Sequence, residues 1–498
     1  MSKRIINILA VILVPALAAC APEPPPALVI GVTSGPVSLD PHTQDESVTA
    51  SILSNMYEGL MGFDPHLKVV PVLADGYNNP DERTWVFTLR PGVRFHNGRP
   101  LTPEDVVYSL DRARTHPDSV FRTMLAAVHQ VRKLDDRTVV IITRRPQPVL
   151  IRMLALVSII PAGFQPERDI RGTGPYMMTR YTPRQELSAE YFPQYHGPAP
   201  EFQAVTWRFI VDDRQRAQAL IDGRIDMDTD LAAADEERVK WQNHLAVATW
   251  HGSSVTCLNL DVRGEPRTNP LADRRVRQAI SLAINRQEIV DNVYPNYATV
   301  ATQLIPPSVV GFAPDLPAIR HDAAAARALL RAAGYGDGLA LTLDLSEAAM
   351  AEGQLLRRQL GEAGMRLQLA PCDWSELYPR VSRGESRFFL VGYISSSGDA
   401  GELFNSQLHS RSADGEYGAE NVGGYANPEL DRLVEAADRE FDPRRRQELL
   451  QAAMRLVMAD LPYIPMHTRS HCYGLRQDLL WQPRADSTVQ IREIGRRR

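Results

Sequence analysis

The chain is short of the residue types from which metal, redox and nucleotide sites are built. Only four of its 498 residues are cysteine, Cys20, Cys257, Cys372 and Cys472, and no pair has CxxC spacing, which argues against structural zinc. The last three thiols allow one intramolecular bridge at most, and the sequence does not choose the pair. Lysine is nearly absent, at Lys3, Lys68, Lys133 and Lys240 alone, so almost every positive charge is arginine. Genome base composition explains that bias without invoking function. There is no GxSxG elbow, no HExxH and no P-loop, so neither an enzyme nor a cofactor is expected. Gly172-Thr173-Gly174 is a bare GxG whose following Pro175 obstructs a helix start, and it reads as a turn. No repeat of solenoid period occurs.

The N-terminus carries a different signal. Lys3 and Arg4 precede an apolar run from Ile5 to Ala19, shorter than the roughly 20 residues that span a bilayer. Leu17-Ala18-Ala19-Cys20 resembles the lipobox of bacterial lipoproteins, which implies a signal peptide over residues 1–19 and acylation of Cys20. Residues 20–27 then read as a lipidated, proline-rich spacer that holds a periplasmic or cell-surface body off the membrane. Removing residues 1–19 leaves 53 basic against 60 acidic side chains. That acidic excess is a poor match for nucleic acid, and no such partner is expected. Arg496-Arg497-Arg498 reads as a solvated tail.

At this length two or three domains are expected. Trp85–Leu89 alternates as a strand, Arg90-Pro91-Gly92 breaks it, and Val93–Phe95 resumes it. Thr102 is the N-cap of a helix that starts with Pro103 and buries Val106, Val107 and Leu110. Further on, Ala27–Val32, Leu134–Thr143, Val205–Ile210, Val255–Leu260, Leu339–Leu345, Met365–Leu369 and Phe388–Ile394 read as strands. Ser47–Leu60, Pro146–Leu156, Asp212–Asp222, Asp273–Val293 and Glu352–Glu362 read as helices, and others follow Asp322, Asn427 and Asp442. The alternation predicts a mostly parallel, helix-covered α/β sheet.

In order and wording, Trp85–Arg112 resembles the signature of family 5 extracellular solute-binding proteins, the dipeptide and oligopeptide receptors of bacterial ABC importers. Ser38-Leu39-Asp40-Pro41, Tyr57-Glu58-Gly59-Leu60, Gly172-Thr173-Gly174-Pro175-Tyr176 and Gly223-Arg224-Ile225-Asp226 are similar to further motifs of that family. The resemblance implies a two-lobed periplasmic-binding-protein fold of type II with a hinge between the lobes. Lobe I would comprise residues 28–55, 172–256 and 468–498, an inserted subdomain residues 56–171, and lobe II residues 257–467. It further implies a monomer that captures a peptide or peptide-like solute and delivers it to ABC permease subunits. The alternatives are a non-peptide solute (opine, sugar phosphate, glycan or metal chelate) or a sensory or surface lipoprotein without a permease.

The ligand-site candidates centre on Val391–Ala400, at the end of a strand buried on both faces. In peptide-binding relatives this loop carries a Trp and an Asp that pairs with the peptide ammonium; here Tyr393 stands at the Trp and Ser396 at the Asp. Either Asp399 takes over the ammonium or the ligand lacks a free amine, and Asp399 is alternatively a turn-former. Ser395, Ser396 and Ser397 are candidate polar contacts. Tyr57, Glu58 and Trp374 are candidates by analogy, each with packing or surface roles as the plainer reading. His409, His467 and His471 lack paired ligand spacing, and no metal is expected.

Overall fold

The longest strand carries the architecture. In the computed structural model, Leu245–Leu260 is one extended segment of 16 residues, and it runs antiparallel to the 14-residue Tyr463–Arg476. The structure describes residues 27–44, 46–122, 124–166, 170–295, 297–395, 397–413, 415 and 417–497. Cys20 and the expected signal peptide and spacer lie outside the described residues, apart from Ala27.

The principal sheet has eleven strands: β1 (Ala27–Val32), β2 (Tyr176–Thr182), β3 (Glu186–Tyr191), β4 (Ala204–Phe209), β5 (Met227–Asp228), β6 (Leu245–Leu260), β7 (Ala298–Val300), β8 (Leu339–Ser346), β9 (Met365–Cys372), β10 (Phe388–Ile394) and β11 (Tyr463–Arg476). Their order is β9-β8-β10-β6-β11-β5-β1-β4-β3-β2, with β7 paired to β11. The β6/β11 ribbon is common to both lobes. Leu245–His251 pairs with Ser470–Arg476 on the first-lobe side and Val255–Asn259 with Tyr463–Thr468 on the second, and the register shifts between His251 and Val255. A break in pairing where the ribbon crosses is a place for the backbone to bend.

The expectation of a mostly parallel sheet is corrected. Only β1 with β4 and β5, and β8 with β9 and β10, pair in parallel. The crossing ribbon and the β2–β3–β4 meander pair antiparallel; a short turn joins β2 to β3, whereas β6, β10 and β11 meet across long stretches of chain.

Each half of the sheet buries both faces. In the second lobe, Leu258, Leu260, Phe388 and Leu390 enter one core, while Val255, Cys257, Leu403, Phe404 and Tyr463 form another on the opposite face. In the first lobe, Leu28, Ile30, Trp207 and Tyr473 face one core, and Ala217, Leu220, Leu245 and Cys472 the other. A fifth core, from Leu60 to Ile159, belongs to a small sheet of order 74–81, 84–89, 138–143, 128–133. No helix among the described residues is long and apolar enough to cross a membrane.

Local chemistry sets the boundaries. Asp105 accepts hydrogen bonds from the Thr102 N–H and hydroxyl at 2.9 and 2.8 Å, starting the helix Pro103–Thr115. The strand expected at Val93–Phe95 is a turn with a single bridge between Arg94 and Pro100, since Gly92 turns the chain at φ +78°. The helix from Ser47 ends at Leu53 instead of Leu60. Asp273–Val293 forms two helices, Arg274–Ala283 and Arg286–Val293, because Asn285 caps the second through the Glu288 N–H.

Candidate functional site

Alternation along β10 builds the site. Phe388 and Leu390 point into the core, whereas Phe389, Val391 and Tyr393 line a cavity of about 370 Å³ on the other face. Cys257 and Asn259 of β6, Tyr378 and Val381 of the helix Trp374–Ser382, Gln407, Glu420 and Tyr463 complete its wall. The cavity therefore sits beside the carboxyl end of a buried strand, where sheets of this kind receive ligands. Burial pushes the Cys257 thiol up to about 12, so it is an inert wall group. The Tyr393 hydroxyl is buried without a hydrogen-bond partner and is held well above its ordinary range by burial and by Glu402, Glu420 and Asp399.

The loop beyond β10 is held from several directions. Gly398 turns it at φ +66°, a backbone state glycine adopts freely. Val310 accepts from the Ala400 N–H at 2.9 Å and donates to the Gly398 carbonyl at 3.0 Å. Ser397 donates from its N–H at 3.0 Å and its hydroxyl at 2.8 Å to one Glu402 oxygen. Burial raises the Glu402 carboxyl, with Asp399 and Glu420 pushing the same way and the Ser397 bonds opposing. No arginine, lysine or histidine forms an ion pair with Glu402 among the described residues.

Asp399 is engaged inside the fold. Its carboxylate takes the Gly401 N–H at 2.8 Å and the Arg446 guanidinium at 2.8 Å, and both side chains of the ion pair are buried. The takeover of a ligand cation by Asp399 is therefore not what the geometry offers. Ser395 is buried, with its hydroxyl 3.5 Å from the Asp399 carbonyl. Ser396 lies outside the described residues, as does the side chain of Trp374.

The inserted small-sheet unit reaches this loop. Arg152 donates to the Ser397 carbonyl at 2.5 Å and to that of Leu67 at 3.1 Å. Arg145 bonds the Tyr417 hydroxyl and lies 4.7 Å from its ring, and Trp85 meets Phe441 at 6.1 Å.

Tyr57 and Glu58 are placed elsewhere. Tyr57 is buried, edge-on to Phe164, with its hydroxyl 3.5 Å from the Leu39 carbonyl. Glu58 is buried and accepts from Tyr195 at 2.9 Å, His196 at 2.9 Å and Thr173 at 3.0 Å, with Arg492 at 3.5 Å. These contacts make Glu58 a brace that ties the inserted unit to the first lobe and the C-terminal segment. His409 stacks on Tyr417, and His467 faces Glu352 at 3.2 Å; no group of three metal-ligating side chains stands together among the described residues. The sequence reading missed Glu402, Glu420, Arg152 and Arg446. Glu402, three positions after Asp399, had a local signal; the arginines, remote in sequence, had none.

A family profile described as bacterial extracellular solute-binding proteins, family 5 (middle), matches residues 68–415. The glutathione-binding protein GsiB of Salmonella typhi is 28% identical over 463 residues, 88% of each chain. Two solved structures are similar in fold. DppA of Helicobacter pylori in complex with the peptide STSA has a TM-score of 0.80 at 20% identity, covering 95% of this chain and 98% of that one. MoaA of A. tumefaciens R10 in complex with mannopinic acid has a TM-score of 0.79 at 25% identity, covering 95% and 100%. The two lobes about a shared ribbon are the periplasmic-binding-protein fold of type II. The chain belongs to the bacterial extracellular solute-binding proteins of family 5, and it is a binding protein, not an enzyme.

Proposed function

We propose that the chain is the lipid-anchored receptor of an ABC importer and takes a short peptide or peptide-like solute between its lobes for delivery to a permease. The observation that carries this reading is the cavity of about 370 Å³ beside β10, walled by second-lobe residues alone, polar at Tyr393, Asn259, Ser382, Gln407 and Glu420 and largely apolar elsewhere, which would supply the second lobe's share of the site. The name of the GsiB relative favours glutathione as the first solute to try. We take the lobes at residues 28–55, 172–256 and 468–498 and at 257–467, with the insertion at 56–171, although Met56, Tyr57, Ile160 and Phe164 pack in a first-lobe core and Val255 in a second-lobe one. Binding would close the lobes about the β6/β11 ribbon, because a ligand touching both favours the closed state by its differential affinity.

Ser395 and Ser397 would shape the cleft loop, whereas anchoring through Cys20, a periplasmic or cell-surface body and a monomeric state follow from the N-terminal signal and the family. Mass analysis of solute released by denaturing the purified protein, with calorimetric titration of glutathione, tests the reading. Peptide-like mass or a micromolar titration supports it; recovery of an opine such as mannopinic acid, the ligand held by MoaA, redirects it to the non-peptide alternative.

A further inference from the structure

We propose that the end of the first lobe at which β1 begins is a membrane-docking face, which seats Trp241 and Leu480 in the interface of a phospholipid bilayer. Strand register assembles this face. Ile30, Met227, Leu475 and Ala246 stand side by side across β1, β5, β11 and β6. Ala27 at the start of β1, Trp241 four residues before β6 and Leu480 four residues after β11 therefore share one end of the sheet. Neighbouring strands lie about 4.8 Å apart, so the width from β1 to β6 is about 15 Å. The Gln477 N–H donates to the His244 carbonyl at 2.8 Å, the Arg497 N–H donates to the Asp478 carbonyl at 2.7 Å, and Leu480 pairs with Gly495. These bonds hold residues 241–244, 477–480 and 495–497 against one another.

Surface chemistry and reach both point to lipid. Trp241 is 81% exposed and Leu480 47%, whereas Trp85 and Trp207 are buried and Trp250 and Trp481 partly so. An indole left in water near a second large apolar side chain suits a bilayer interface, which takes the ring and still hydrates its N–H. The same end carries a recess of about 510 Å³ with His244, Arg476 and Arg497 in its wall. Asp226 and Asp478 pair with Arg476 at 2.6 and 2.7 Å, and Arg496 binds Asp478 as well, at 2.7 Å. Arg497 forms no ion pair among the described residues, so its guanidinium is left for a headgroup phosphate. As for reach, Cys20 stands seven residues before Ala27, and an acyl anchor there keeps this end within about 25 Å of the bilayer. Tethering raises the local concentration of lipid, so a contact too weak to recruit a free protein is still occupied. Because β6 leaves this end for the second lobe, docking here keeps the space between the lobes open to solute.

The inference rests on the proposed acylation of Cys20 and goes beyond it. The test uses the chain expressed from its first residue in bacteria, purified, and reconstituted into vesicles of phosphatidylethanolamine and phosphatidylglycerol with brominated acyl chains, which quench an indole lodged in the bilayer. Flotation of the vesicles first reports whether the protein is anchored. The wild type is then expected to lose about a sixth of its tryptophan emission relative to vesicles without bromine, the share of one tryptophan in six. Trp241→Phe should abolish that loss, and Leu480→Trp added to Trp241→Phe should restore it. Both positions are exposed, so the variants are expected to fold. An anchored wild type without quenching, quenching retained in Trp241→Phe, or none regained with Leu480→Trp overturns the docking face and leaves the anchor standing. A wild type that fails to float with the vesicles overturns the anchor, and the inference falls with it.

Discussion

Single side chains of the loop beyond β10 divide into those that have a charged partner in the fold and those that do not. Asp399 and Arg446 are both buried and satisfy each other, so Asp399→Asn leaves the guanidinium only the longer ion pair to Asp438 at 3.8 Å and the Ala437 carbonyl. Breaking such a pair costs about 3–5 kcal/mol, and chemical denaturation should register a loss of that size with no dependence on solute. Glu402 behaves oppositely. Its carboxyl is raised in the folded state by burial, so the folded state holds this proton more tightly than the unfolded chain. Stability from this group is thus present below the ordinary carboxylate range and lost as pH rises through the raised folded value. Glu402→Gln should therefore raise the apo melting temperature at pH 7, and the gain should vanish near pH 4, where the wild type is protonated too. A gain equal at both pH values would contradict this account. From sequence, Asp399 and Glu402 were indistinguishable: one arginine decides between them, and it lies 47 residues from Asp399 along the chain.

Elements were legible where capping chemistry and hydrophobic period agreed. Thr102-Pro103, Asp322, Asn427-Pro428 and Asp442-Pro443 all begin helices where their side chains indicate, because an N-cap acts within three residues. The long helix expected over Asp273–Val293 failed at Asn285, a capping residue inside an apolar period that continues on both sides. Gln359 fixes that break from another helix, donating to the Asn285 carbonyl at 3.2 Å and accepting its N–H at 3.1 Å. Asn285→Ala should cost about 1 kcal/mol, read as a lower denaturation midpoint at unchanged slope. The Gly172-Thr173-Gly174 turn is tighter than its sequence says. A Cβ at Gly172 would stand 1.8 Å from the Met56 carbonyl oxygen, and one at Gly174 2.7 Å from that of Asn55. Gly172→Ala should destabilise by about 2–3 kcal/mol as the backbone is forced apart. The sheet's mixed direction was not legible, since strand direction depends on pairing between segments as distant as β6 and β11.

At the scale of the whole molecule, the ribbon that joins the lobes is continuous, yet the cavity-side loop is also held from the inserted unit. Arg152 spans from Leu67 to the Ser397 carbonyl, Arg145 reaches Tyr417, and Trp85 packs on Phe441. If the lobes part about the ribbon, these contacts must break, so they belong to the closed state and bias the equilibrium toward it. Burial lowers the Arg152 guanidinium from its ordinary value, with Asp399 opposing the shift and Arg446 adding to it. Hydrogen bonds from a charged donor contribute about 1.5–3 kcal/mol, so Arg152→Met should move the population toward open forms by an order of magnitude or more. The expected readout is a larger radius of gyration for the unliganded variant in solution scattering. Solute dissociation should also be faster by about tenfold or more, although Arg152 need not touch the solute. An unchanged radius and dissociation rate would mean that the inserted unit rides with the second lobe and does not latch it. The sequence pointed to two lobes and an insertion through its motifs, but not to this clasp: residues 152 and 397 meet only once both units have folded and come together.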